Sequence, residues 1–228
     1  VPEPVSAPVH SGPVHSGPVH SGPVHSGPVH SGPVHSGVAG LLLAAGAGRR
    51  LGRPKALVEI GGQSLAARGV TLLRDGGAGP VVVVTGAAQV FLPGVVTVHN
   101  PDWRTGMGSS LRTGLGALPA SSSAVVIALV DQPLIGALAV RRLIAAFQAG
   151  ASVAVACYSG QRRNPVLISR RYWGEAAAAA EADSGAREFL RARQDLVTLV
   201  ECGDVGRPDD LDTADDLKRI MDLMDSDG

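Results

Sequence analysis

Gly46, Gly48, Arg50, Gly52, Pro54 and Lys55 stand close together, directly after an apolar run over residues 38–44. Glycines let backbone N–H groups approach an anion and permit positive φ. Arg50 offers a planar guanidinium fork for phosphate oxygens, and Lys55 a compact point charge. A buried strand feeding a glycine-rich loop that carries both cations implies a site for a nucleoside triphosphate. Glycine is frequent in this chain, 30 of 228 residues, so the inference rests on the whole combination. The loop is neither a G-x-x-x-x-G-K-[ST] phosphate loop nor a G-x-G-x-x-G dinucleotide turn.

Asp131-Gln132-Pro133 follows a second apolar run, 125–130. An aspartate past a buried strand suits a hard cation such as Mg²⁺, which takes oxygen ligands and uses one or two carboxylates beside substrate phosphates. The alternative is a turn or N-cap aspartate before proline. Residues 100–111, Asn-Pro-Asp-Trp-Arg-Thr-Gly-Met-Gly-Ser-Ser-Leu, leave a short strand and enter a helix through small polar residues. Backbone amides near Gly106 and the Ser109 or Ser110 hydroxyl could meet a base edge, aided by the helix N-terminus; the alternative is a serine cap. Trp103 is read as packing rather than ring-stacking, and His99 as structural.

Further along, Arg162-Arg163-Asn164 places two cations and an amide before a strand, and residues 183–187 read as a helix-start loop for an anion or polar ring. Residues 210–217 carry acids over a first helical turn, mostly as caps, with Asp212 also weighed as a metal ligand.

These groups must be positioned by an alternating series. Strands are expected over 38–44, 80–85, 95–99, 124–130, 152–157, 165–168 and 196–201, and helices over 64–74, 108–118, 137–149, 170–180, 184–193 and 213–224. The runs around Val82 and Val126 are apolar on both faces. Alternation predicts an α/β, three-layer fold with a mostly parallel sheet, whose ligands sit beyond the strands' carboxyl ends. The core must come from aliphatic side chains, since aromatics are only 3% of residues. Cys157 and Cys202 are expected in the core of a reduced, cytoplasmic protein. Zero formal net charge argues against nucleic-acid or membrane partners. No apolar run is long enough for a membrane span, and no secretory signal pattern is found.

Residues 1–37 differ. His-Ser-Gly-Pro-Val repeats place His10, His15, His20, His25, His30 and His35 at fixed spacing. Proline every fifth residue blocks helix, and a disordered or polyproline-like tail is expected. Metal binding there would require it to fold back on itself.

The run Leu43-Ala44-Ala45-Gly46-x-x-x-Arg50-x-Gly52-x-x-Lys55 resembles the L-A-A-G-x-x-x-R-x-G-x-x-K signature of nucleotidylyltransferases with a GT-A-like, Rossmann-like fold. With Asn100-Pro-Asp-Trp103, Gly106-Met-Gly-Ser-Ser110, Asp131-Gln-Pro133, Asn164-Pro165, Asp183-Ser-Gly-Ala-Arg187 and Asp212-Thr213, the chain from Val38 to about Met221 looks like the molybdenum-cofactor nucleotidylyltransferases, nearest their CTP:molybdopterin cytidylyltransferase branch. The resemblance implies a domain over 38–228 that transfers CMP from CTP to the phosphate of molybdopterin, releasing pyrophosphate. It implies nucleotide contacts from Leu43, Ala44, Ala45, Gly46, Gly48, Arg50, Gly52, Lys55, Gly106, Ser109, Ser110 and Asp131, with Arg50, Lys55 and Asp131 in catalytic roles. Gln132, Asn164, Asp183 and Gly185 would meet the acceptor. Asp131 would hold Mg²⁺, with Mn²⁺ as substitute and Asp212 as the candidate second ligand. A molybdenum hydroxylase would receive the product. Ala44-Ala45-Gly46 favours cytosine. Leu43 stands where that branch often has threonine, and Gly48 where many relatives have serine. The alternatives are a guanylyltransferase using GTP, transfer to another small phosphate, or a non-enzymatic cofactor carrier.

Overall fold

The computed structural model describes residues 37–226 together with Val1; the tail reading for residues 1–37 otherwise lies outside the described residues. In chain order the elements are β1 (Val38–Ala44), β2 (Glu59–Ile60), β3 (Gln63–Ser64), α1 (Leu65–Asp75), β4 (Val81–Thr85), β5 (Val96–His99), α2 (Met107–Ala117), β6 (Ala124–Leu129), α3 (Ala137–Gln148), β7 (Val153–Tyr158), β8 (Gln161–Ser169), α4 (Trp173–Ala179), α5 (Arg187–Ala192), β9 (Val197–Glu201) and α6 (Ala214–Ser226). The order β5-β4-β1-β6-β8-β7-β9 makes a seven-stranded sheet, while β2 and β3 form a separate hairpin. Only β8 runs against its sheet neighbours, so the sheet is mostly parallel, as expected.

Strands buried on both faces need helices on both sides. One face packs Leu42, Val83 and Val126 against Leu65 and Leu73 of α1, Leu143 of α3 and Ile220 of α6. The other packs Leu41, Val84 and Val125 against Leu111 and Leu115 of α2, Trp173 of α4 and Phe189 of α5. These side chains are aliphatic for the most part, and each fully buried one is worth about 1.5–3 kcal/mol. Two helical glycines let the layers approach: a Cβ on Gly69 would sit 2.6 Å from the Leu42 side chain, and one on Gly114 2.5 Å from that of Leu41. Cys157 and Cys202 are free and buried. No helix among the described residues is long and apolar enough to cross a membrane.

Two departures from the expected elements matter for the site. The hairpin β2–β3 had no period-2 pattern long enough to read. Strand β8 is longer than the apolar run 165–168, because its polar first half, Gln161–Asn164, also joins the ladder beside β7. Since β8 runs backwards, that polar end overhangs the edge at which β6 delivers Asp131.

Candidate active site

β1 and β6 are parallel neighbours, and β4 pairs with β1 on its other side. The chain therefore winds outward in both directions from β1, and the crevice at such a switch point is where open α/β sheets bind ligands. The loop after β1 and the turn after β6 both open there. Lys55 begins a short 3₁₀ turn, Lys55–Leu57, entered from Pro54 at φ −57°. Ala56 in that turn and Val58 directly after it are 1% and 0% exposed. Anchored by them, Lys55 is held inward while Arg50 remains exposed at the loop's rim.

The Lys55 Nζ donates to Asp131 Oδ2 at 2.7 Å and to Asp212 Oδ1 at 2.6 Å. Arg50 Nη2 donates to the other Asp212 oxygen, Oδ2, at 2.6 Å. The Lys55 side chain is 13% exposed and that of Arg50 69%, so the lysine pairs carry most of the electrostatic weight and the arginine pair is largely screened. Burial alone would lower the Lys55 pKa; the charges of Asp131 and Asp212, and the hydrogen bonds to them, override it and hold the ammonium above the ordinary lysine value. The Lys55 hydrogen bond in turn draws the Asp212 carboxyl below the ordinary aspartate range.

Asp212 reaches this cluster because the Leu211 amide donates to the Asp131 carbonyl at 2.8 Å. The capping expected of the acids in 210–217 falls to one of them. Asp216 Oδ2 accepts from the Thr213 amide at 2.9 Å and from the Thr213 hydroxyl at 2.8 Å, and Thr213 Oγ1 accepts from the Asp216 amide. That frees Asp212 to face the loop.

Two cavities flank the ion cluster and share Met107, Leu129 and Asp131 in their walls. The smaller, about 340 Å³, is lined by Leu43, Ala45, Gly46, Lys55, Trp103, Gly106, Ser110 and Asp183. The larger, about 710 Å³, is lined by Gln132, Asn164, Arg162, Arg163, Arg187, Arg191, Asp210 and Asp212. Several residues fall elsewhere than the sequence suggested. Ala44 is buried beneath the loop at 2% exposure. Gly48 and Gly52, at φ +59° and +79°, shape the turn but line neither cavity. Asp183, expected on the acceptor side, lies in the wall of the smaller cavity, because its loop packs onto Gly106. Gly185 also lines neither: it is buried at φ +53°, where a Cβ would come 2.8 Å from the Met107 sulfur. Trp103 both packs and faces the cavity, lying against Gly86 while the Arg104 guanidinium sits 4.5 Å from its ring. His99 is exposed on the edge strand β5.

Neither serine acts as the cap weighed as the alternative; Gly106 takes that position. The Asn100 Nδ2 donates to the Ser109 and Ser110 hydroxyls at 2.9 and 3.0 Å, and the Ser109 hydroxyl lies 2.9 Å from both the Asp102 and Gly106 carbonyls. Ser109 therefore pins the loop, and Ser110, itself 3% exposed, is the serine on the wall of the smaller cavity. Asp210 was not singled out by the sequence. Its carboxyl is raised above the ordinary range by burial, with the charges of Asp131 and Asp212 adding and a hydrogen bond from Gln132 Nε2, 2.8 Å, opposing.

No group of three or more His, Cys, Asp or Glu side chains converges on a point among the described residues. Asp131 and Asp212 nevertheless reach one and the same cationic nitrogen. Such a pair of carboxylates fits a hard divalent ion, which takes oxygen ligands and keeps several waters.

Fold and site together define a nucleotidyltransferase, and the chain belongs to the family described as the MobA-like NTP transferase domain, matched over residues 40–197. It is 36% identical over 198 residues to a protein of Paenarthrobacter nicotinovorans named nicotine blue oxidoreductase, covering 81% of this chain and 96% of that one. It is 36% identical over 102 residues to a probable molybdenum cofactor guanylyltransferase of Opitutus terrae, covering 44% and 50%. A crystal structure of the Mycobacterium sp. strain JC1 homologue of Rv0371c superposes with a TM-score of 0.77 at 31% identity, covering 86% of this chain and all of that one. Rv0371c of Mycobacterium tuberculosis, solved in complex with manganese, gives 0.67 at 26% identity over 81% and 98%.

Proposed function

We propose that this protein transfers CMP from CTP to the terminal phosphate of molybdopterin or its metal-loaded form, releasing pyrophosphate, with residues 38–228 as the catalytic domain. The observation that carries this reading is the Arg50–Lys55–Asp131–Asp212 cluster set between two cavities at the strand ends. In it the smaller cavity takes the nucleotide and the larger the acceptor. Ala45, Gly46 and Ser110 lie where the base and ribose enter, and Ala44-Ala45-Gly46 supports cytosine. Lys55 and Arg50 neutralise the triphosphate. Asp131 and Asp212 hold Mg²⁺, or Mn²⁺ in its place, which supplies charge neutralisation on the phosphates when bound. The acceptor phosphate is ionised near neutral pH, so the chain needs no general base; its contribution is to align the attacking oxygen with the leaving pyrophosphate and to offset charge. We place the protein in the cytoplasm, with a molybdenum hydroxylase as the recipient of its product.

Pyrophosphate release across the four ribonucleoside triphosphates, with and without molybdopterin and Mg²⁺, tests this directly. Release is expected with CTP only when molybdopterin is present, and to survive removal of residues 1–37. Preference for GTP would replace the cytosine assignment with guanylyl transfer, the reading that the Opitutus terrae relative's name favours. The Paenarthrobacter relative favours a second reading, redox chemistry on nicotine blue. Bleaching of that dye by a reduced nicotinamide, with no pyrophosphate from any triphosphate, would establish it.

The larger cavity carries Arg162 from the overhanging end of β8 and Arg187 from the start of α5. We assign both to the acceptor's anionic groups. Arg187→Ala is expected to raise KM for molybdopterin about tenfold, the loss of one charge-assisted contact, while KM for CTP stays unchanged. A rise in the KM for CTP instead would reverse the assignment of the two cavities.

A further inference from the structure

We propose that the carboxylate pair is locked by the loop's own cations until a triphosphate arrives, so that divalent metal and nucleotide enter as one coupled event. Both oxygens of Asp212 are engaged, Oδ1 by Lys55 and Oδ2 by Arg50, and the same lysine holds Asp131 Oδ2. The position that a divalent ion would take between the two acids is therefore filled by an ammonium group. A metal ion entering beside that ammonium meets like-charge repulsion in a partly buried site, where screening is weak. Arg50 and Lys55 can leave the acids without loss only if they find other anions. The triphosphate is that alternative, since both cations sit on the loop that cradles it. Phosphate oxygens drawing the two cations off free Asp131 and Asp212 together, and the arriving ion replaces the lost positive charge.

Only the identification of the loop as the triphosphate site rests on the function proposed above; neither the acceptor nor the base enters the argument. Linkage requires that metal strengthen nucleotide binding by the same factor as nucleotide strengthens metal binding. Lys55 is thus a positioning residue toward the metal, distinct from its role toward phosphate, and the two roles predict opposite signs on substitution.

The test is Mn²⁺ binding to the full chain followed by electron paramagnetic resonance, with no transfer reaction involved. The wild-type protein alone is expected to bind Mn²⁺ weakly, and Lys55→Met alone at least about tenfold more tightly. Asp131→Asn added to Lys55→Met should abolish that gain, which assigns it to the carboxylate pair. Lys55→Gln provides the same comparison where the methionine variant folds poorly by circular dichroism. Wild-type protein binding Mn²⁺ as tightly as the Lys55 variants would overturn the proposal. That outcome would leave the nucleotidyl-transfer reading standing, because pyrophosphate release is measured separately. A failure of pyrophosphate release beside the expected Mn²⁺ gain would strike the function and spare the lock.

Discussion

Lys55→Ala is expected to lower turnover by about two orders of magnitude or more, the scale of removing one preorganised electrostatic partner of a transition state. The side chain is nearly enclosed and makes two short contacts to acids, so its charge acts where water screens it poorly. Its removal takes away a cation for the triphosphate and leaves Asp131 and Asp212 facing one another. Lys55→Arg is not expected to rescue it. A broad, planar guanidinium does not fit where a compact ammonium bridges two carboxylates. Asp131→Asn keeps the shape, removes the charge and should fall to a similar level. The measurement is steady-state pyrophosphate release with circular dichroism as the folding control. Either variant folded and running near the wild-type rate would remove these residues from the chemistry.

Gly48→Ala should also cost heavily, for a reason of shape. Gly48 sits at φ +59°, and a Cβ there would overlap the Arg53 carbonyl oxygen. The obstacle is backbone, which cannot swing aside as a side chain can. Alanine forces the turn to open between Gly48 and Arg53, which displaces Lys55 from the acids. Titration calorimetry should show nucleotide binding weakened by at least about tenfold, and turnover should fall in proportion. The helices and sheet remain, because within the turn only Leu51 packs, partly buried, against a core. Serine meets the same overlap and should behave as alanine does. Wild-type nucleotide affinity in Gly48→Ser would show that the turn relaxes freely.

Much of the architecture was legible because it depends on patterns that survive locally. Apolar runs such as 80–85 and 124–130 read as doubly buried strands, and the helices between them kept their apolar stripes. The glycine loop was legible for the same reason, since glycine and a fixed pair of cations mark a turn whatever surrounds it. Boundaries moved by one residue at α2, where Gly106 takes the cap, and by three at the starts of α4 and α5, expected from 170 and 184 but beginning at Trp173 and Arg187. Ser109 was misread because its partners, Asn100 and Asp102, compete for its hydroxyl only once the loop is closed.

The order of strands along the chain could not say which of them would be neighbours. Nothing local states that β8 runs backwards, yet that reversal is what sends Arg162 and Asn164 to the edge holding Asp131. Asp212 was one acid among several before α6. The bond from Leu211 to the Asp131 carbonyl, across 80 residues of chain, selected it, while Thr213 and Asp216 took the cap. The amino-acid sequence by itself determined the kinds of element and the chemistry available, because propensity, burial pattern and charge are carried by each residue. Tertiary structure alone decided which charges meet, because a pairing such as Lys55 with Asp212 exists only after distant strand ends have been packed side by side.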